Sequence, residues 1–188
     1  MKNKKNKEVV EYLSGLKLCI DSIHYDQIKL VSALFNKIKK NKKIIYICGN
    51  GGSAANADHI SNDLMLGLNK KKQGYKIVSL SSNIAKITCI GNDLGYEHIY
   101  SHQLNEIATK GDLLICLSGS GNSPNIVNAL KVAKKKNIFS VCILGYSGGA
   151  ALKLADYPIY FKIDDMQISE DMQMIFFNSV MKFLSQSF

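Results

Sequence analysis

Ile47-Cys48-Gly49-Asn50-Gly51-Gly52-Ser53-Ala54-Ala55-Asn56-Ala57-Asp58-His59 is the stretch that decides the fold. The apolar run Lys43-Ile44-Ile45-Tyr46-Ile47-Cys48 reads as a strand and stops at a glycine-rich turn. The alanine-rich segment behind the turn reads as a helix. A strand, a tight glycine loop and a helix N-terminus together point free backbone N–H groups and the positive end of a helix dipole at one spot. Asn50, Gly51, Gly52 and Ser53 are therefore candidate contacts to an anion, the seat of a phosphorylated small molecule. Ser53 either caps the helix or donates its hydroxyl to the same anion.

A second loop of this kind is Leu117-Ser118-Gly119-Ser120-Gly121-Asn122-Ser123-Pro124-Asn125, behind the apolar run Asp112-Leu113-Leu114-Ile115-Cys116. Ser118, Gly119, Ser120 and Ser123 can surround a phosphate with hydroxyl and backbone donors. Pro124 suits the first turn of the next helix, where a missing N–H costs nothing. Neither loop has the Gly-Lys-Ser/Thr of a nucleotide P-loop or a clean Gly-x-Gly-x-x-Gly, so no nucleotide cofactor is expected.

Outward from these loops, the periodicity gives one α/β unit without a linker. Strands are predicted over 43–48, 75–80, 112–117, 138–144 and 157–162. Helices are predicted over 53–67, 84–91, 97–108, 123–136, 148–154 and 169–186, with two more inside 6–38 broken near His24-Tyr25-Asp26. Alternating strands and helices predict a five-stranded parallel sheet sandwiched by helices, with ligands at the carboxyl ends of its strands. A sheet of this size needs little of residues 6–38 for its own core, which points to an oligomer built from the N-terminal helices.

The 188 residues fit one domain, and 46% hydrophobic with 21% charged residues is ordinary globular composition. No apolar stretch is long enough to span a bilayer, and the N-terminus has no apolar signal core, so neither membrane nor export is expected. Five scattered cysteines, three of them in strands, fit a reduced, cytoplasmic setting. The net charge of +9 comes from lysine alone. The runs Lys2–Lys7, Lys37–Lys43, Lys70–Lys72 and Lys134–Lys136 fall at predicted helix ends and turns, where solvated lysine is inexpensive. Without arginine or aromatic–basic interleaving, the charge does not indicate a nucleic-acid partner.

Cys48–His59, Ile90-Gly91-Asn92-Asp93-Leu94-Gly95-Tyr96-Glu97 and Leu117–Ser123 occur in this order and at similar spacing in phosphosugar isomerase (SIS) domains. The chain most resembles the phosphoheptose isomerases, over nearly its whole length. The resemblance implies a single SIS domain over 1–188, with N-terminal helices in 1–42 for oligomerisation and a sugar-phosphate-binding core in 43–188. It implies conversion of sedoheptulose 7-phosphate to D-glycero-D-manno-heptose 7-phosphate, in the supply of activated heptose for lipopolysaccharide or capsule. It also implies a cytoplasmic homotetramer whose active sites borrow residues from neighbouring subunits.

The chemistry departs from the family. His59 and Asp63 lie one helical turn apart on one face and make a reasonable half of a divalent-metal site. Glu170 and Asn178 are two turns apart on the last helix. The resembling family carries His, Glu, Gln and His at these four positions, as zinc ligands or as acid and base. Here only His59 is kept, Glu170 brings a charge where the family has an amide, and Asn178 exchanges no proton at neutral pH. Asn83 stands where the family has an aspartate that touches substrate. Ketose–aldose isomerisation needs a base for the proton beside the carbonyl, which makes Asp63 and Glu170 the candidate catalytic residues. Zinc or another divalent metal would draw on His59, Asp63, Glu170 and Asn178. The alternative is a phosphosugar-binding SIS protein without catalysis, such as the replication-initiator-binding type, which shares the Asn at position 178 and Ala-Asn-Ala in the first loop. His98 and His102, read as one turn apart on a single helix, are expected to be surface or packing residues.

Overall fold

The computed structural model describes residues 2–66 and 74–186, with side chains from residue 6 onward. Five strands form one parallel sheet: β1 (Ile45–Gly49), β2 (Ile77–Ser79), β3 (Leu113–Ser118), β4 (Phe139–Leu144) and β5 (Tyr157–Tyr160), in the order β2-β1-β3-β4-β5. The chain thus winds outward in both directions from β1, and the carboxyl ends of β1 and β3 flank the point where the winding reverses. In open α/β sheets that point is where ligands bind.

The three central strands, β1, β3 and β4, are buried on both faces because their alternating side chains feed two separate cores, whereas the edge strands β2 and β5 are only partly covered. Ile45, Ile47, Leu113, Ile115 and Leu117 join one, against α1 (Lys2–Asp21), α2 (Tyr25–Lys40), α3 (Gly52–Leu66) and α8 (Met166–Gln186). Tyr46, Cys48, Leu114 and Cys116 join the other, against α4 (Ile84–Asp93), α5 (Ser101–Ile107), α6 (Pro124–Lys136) and α7 (Ala151–Leu154). Cys48, Cys116 and Cys142 stand in register on three neighbouring strands, and all five cysteines are unpaired thiols.

Local chemistry sets the helix ends. Pro124 opens α6, and Asn137 closes it in the left-handed region at φ +57°. The Asp165 carboxylate accepts from Ile168 N–H and caps α8. The lysine runs of residues 37–43 and 134–136 do fall at the ends of α2 and α6. The run 70–72, and position 67 at the end of the helix expected over 53–67, lie outside the described residues.

Three expectations change. The helix expected over 97–108 divides into a 3₁₀ turn (Tyr96–His98) and α5, so His98 and His102 do not share a helix. The helix expected over 148–154 shrinks to α7, because Gly148 and Gly149 both sit at positive φ. The N-terminal pair is not one unit either. α2 is core, burying Ile28, Val31, Leu34, Phe35 and Ile38, whereas on α1 Val9, Val10, Leu13 and Leu18 are each more than half exposed. Among the described residues no helix is long and apolar enough to cross a membrane.

Candidate functional site

The loop after β1 turns at Gly51, whose φ of +56° favours glycine. It turns tightly, since a Cβ on Gly49 would lie 2.6 Å from the Ser53 carbonyl. Asn50 spends its amide inside the protein. It donates to Asn125 Oδ1 at 3.0 Å and accepts from Asn125 Nδ2 at 2.9 Å, a reciprocal pair that joins the two glycine loops. Its Oδ1 also receives the hydroxyls of Tyr100 at 3.2 Å and Tyr96 at 3.3 Å. Burial holds the Tyr100 phenol well above its usual pKa, so it stays a donor, shared with the Gly49 carbonyl. Asn50 is therefore committed to latching the loops, and its side chain has little left for a sugar or phosphate.

The loop after β3 is built from its own short turns. Ser118 Oγ accepts from Gly121 N–H at 3.1 Å and Ser120 Oγ from Asn122 N–H at 3.3 Å. Asn122 Oδ1 accepts from Ala150 N–H at 2.9 Å, which ties this loop to the turn after β4. Gly121 is obligatory: its φ is +65°, and a Cβ would lie 2.0 Å from the Gly148 carbonyl. Ser123, half-buried at the start of α6, makes no side-chain capping bond. Its hydroxyl, the Ser120 hydroxyl and the Asn125 N–H make a small anion cradle; Pro124 brings no N–H, and those of Ile126 and Val127 are spent on Asn125 Oδ1 and the Ser123 carbonyl.

α8 closes the site from one side by resting on three glycines of the segments that follow β1, β3 and β4. Side-chain atoms of Glu170 lie against Gly52, of Met166 against Gly119 and of Ser169 against Gly145, each where a Cβ would otherwise stand. The half-buried Glu170 carboxylate sits 2.2 Å from the Cβ position of Gly52, at the N-terminus of α3, with no hydrogen-bond donor or cation on it among the described residues. One turn on, Asn56 Nδ2 donates to the Glu170 carbonyl at 3.0 Å and to Gln173 Oε1 at 2.9 Å. Gln173 Nε2 donates to Ser53 Oγ at 2.9 Å. Ser53 lies inside α3 rather than capping it, so of its two expected roles the cap is excluded.

The remaining expected residues lie apart from the loops. His59 Nε2 is 3.3 Å from Asp63 Oδ2, a pair on the open face of α3. Gly52 and Asp63 are about 16 Å apart along the helix, so Glu170 does not join that pair within one chain. Asn178 is exposed and borders a groove between α2 and α8 with Tyr25, Ile28, Ile175 and Phe183. Asn83 caps α4, its Oδ1 accepting from Lys86 N–H at 3.0 Å. Among the described residues no three His, Cys, Asp or Glu side chains are grouped to hold a metal ion. One chain thus supplies a two-donor fragment at His59 and Asp63, and the expected four-residue metal set is not assembled within it.

Sequence reasoning missed Asn56, Tyr96, Tyr100, Asn125 and Gln173. Gln173 carried a legible signal, a polar residue inside the apolar run Met172 to Phe177. Asn178, further along the same helix, is exposed, whereas Gln173 is buried, 1% exposed.

The SIS domain family pattern matches residues 11–145. A phosphoheptose isomerase of Aliarcobacter butzleri is 36% identical over 141 residues, 75% of each chain. One from a Nitratiruptor species is 31% identical over 182 residues, 97% of each chain. A solved phosphoheptose isomerase from Francisella tularensis superposes over 100% of both chains with a TM-score of 0.91 at 20% identity, a likeness of fold.

Proposed function

The chain belongs to the phosphoheptose isomerase family of SIS-domain proteins, and we infer from that premise that it is an isomerase interconverting sedoheptulose 7-phosphate and the aldose D-glycero-D-manno-heptose 7-phosphate. The structural observation that supports the reading best is the carboxylate of Glu170, without a donor among the described residues, resting on Gly52 beside two latched anion loops. The phosphate sits between the loops, on the hydroxyls of Ser53, Ser120 and Ser123 and the N–H groups of Gly52, Ser53 and Asn125, since those of Ala54, Ala55, Ile126 and Val127 are already bonded. Ser118 and Gly119 shape the second loop beneath it, and Gly51 and Gly52 let the phosphate approach the first.

The reaction removes a proton from C1 of the ketose, passes through an enediolate and returns a proton to C2. Glu170 is the better placed base, and Asp63, paired with His59, serves from a second copy of the chain. The copy is needed because one chain keeps the two carboxylates apart. The exposed apolar side chains of α1 provide surface for such an assembly, a homotetramer in this reading. Leu13→Glu with Leu18→Glu is expected to lower the mass measured by light scattering. A divalent ion would take His59 and Asp63 as two ligands and the rest from the second copy. We place the enzyme in the cytoplasm, feeding activated-heptose synthesis.

The test is turnover of sedoheptulose 7-phosphate by purified protein, with and without added zinc, read as appearance of the aldose phosphate. Turnover that Glu170→Gln and Asp63→Asn each abolish supports these roles. Saturable binding without turnover would sink the isomerase and leave a phosphosugar-binding protein.

A further inference from the structure

Two bonds fix the direction of a buried hydrogen-bond chain. The carbonyl oxygen of Glu170 can only accept, so the Asn56 side-chain atom 3.0 Å from it must be the nitrogen. That nitrogen's second hydrogen meets Gln173 at 2.9 Å, so the Gln173 atom there must be oxygen. The other end of the Gln173 amide is then NH₂, and it donates to Ser53 Oγ at 2.9 Å. The amide cannot rotate without setting two NH₂ groups face to face. Gln173 is 1% exposed and Ser53 3%, so water does not compete.

Ser53 consequently receives a hydrogen bond on its oxygen and finds no acceptor for its own proton among the described residues. Its side chain adjoins the glycine turn, with Ser53 Cβ 2.8 Å from the Cβ position of Gly49. A hydroxyl held in this way is a pre-set donor to whatever anion occupies the loop. We propose that Gln173 and Asn56 are positioning residues for phosphate recognition: they orient Ser53 so that its O–H is committed to the phosphate of the substrate before the substrate arrives. The proposal rests on the phosphosugar reading of the site. It does not depend on isomerisation, because a bound phosphate alone reports it.

The experiment compares the native chain with Gln173→Met, Ser53→Ala and the double variant. The readouts are kcat and KM for sedoheptulose 7-phosphate, inorganic phosphate binding by calorimetry, and thermal melting. Loss of an oriented donor to a charged group weakens phosphate binding and raises KM about tenfold, with kcat changed by no more than roughly twofold. In the Ser53→Ala background the Gln173 change adds nothing further, since the two act through one hydroxyl. Asn56→Ala, which frees the amide to rotate, gives a smaller rise of the same kind and stands in if Gln173→Met does not fold. Additive losses in the double variant would overturn the proposal. So would a fall in kcat or melting temperature with KM and phosphate affinity unchanged, or a native chain that binds no phosphate. If the native chain binds phosphate but turns over no heptose phosphate, the isomerase reading fails while the phosphate arm still decides this one.

Discussion

At the end of β1, Asn50 and Ser53 share hydrogen bonds with partners 75 and 120 residues away, Asn125 and Gln173. At the end of β3, Ser118 and Ser120 close turns inside their own loop, and Ser123 caps nothing. Both loops follow a parallel strand, turn at a left-handed glycine and open a helix. They differ in what holds them. The first keeps its shape because α8 and α6 grip it, which leaves one carboxylate, Glu170, facing it without a donor among the described residues. The second keeps its shape through local turns and the close approach of Gly148, which leaves hydroxyls to spare. The first loop is thus suited to place chemistry against a fixed backbone, and the second to wrap an anion.

Four substitutions test that division. The largest effect is expected from Glu170→Gln, which keeps shape and removes the base: kcat falls by roughly 10²- to 10⁴-fold while the melting temperature holds. Unchanged kcat would take the chemistry away from the first loop. Gly121→Ala comes next, as the second loop's own support. A left-handed alanine costs about 1–2 kcal/mol, and displacing the Gly148 carbonyl adds about 1–3 kcal/mol, read as a lower midpoint in urea.

Gly52→Ala sharpens the contrast, because the three atoms nearest its Cβ position all belong to the movable carboxylate end of Glu170. Stability shifts by less than about 1 kcal/mol, yet kcat drops about 10- to 100-fold as the carboxylate is pushed aside. A fall in stability without loss of rate would show that Glu170 is packing rather than chemistry. The smallest effect belongs to Gly51→Ala. Nothing lies within 4 Å of its Cβ position, so only the left-handed backbone is penalised, by about 1 kcal/mol. A larger loss in chemical denaturation would mean the first loop is as crowded as the second.

Much of the fold was legible because its signals are local. Short apolar runs bounded by turns or helices placed all five strands, and Pro124 marked the start of α6. The misreadings came where local pattern is ambiguous. An apolar helical period made residues 6–38 look like one oligomerisation unit, but the period cannot tell an outward apolar face from an inward one. α2 buries its face against α8 and the sheet, with Phe35 near Phe177, and α1 leaves much of its own uncovered. His59 and Asp63 were placed side by side correctly because residues four apart on a helix share one face. Asn50 was read as a ligand contact because its partner, Asn125, is invisible at short range.

The sequence by itself determined a parallel α/β sheet with two anion-ready glycine loops, since strand period, turn chemistry and helix starts are properties of neighbouring residues. The tertiary structure alone decided which polar groups are consumed and which remain for a ligand. Glu170 over Gly52, Gln173 on Ser53 and Asn125 on Asn50 all follow from how α8 and α6 pack across the ends of the strands. The docking of one helix on another brings together residues a hundred positions apart, and that geometry depends on the whole core.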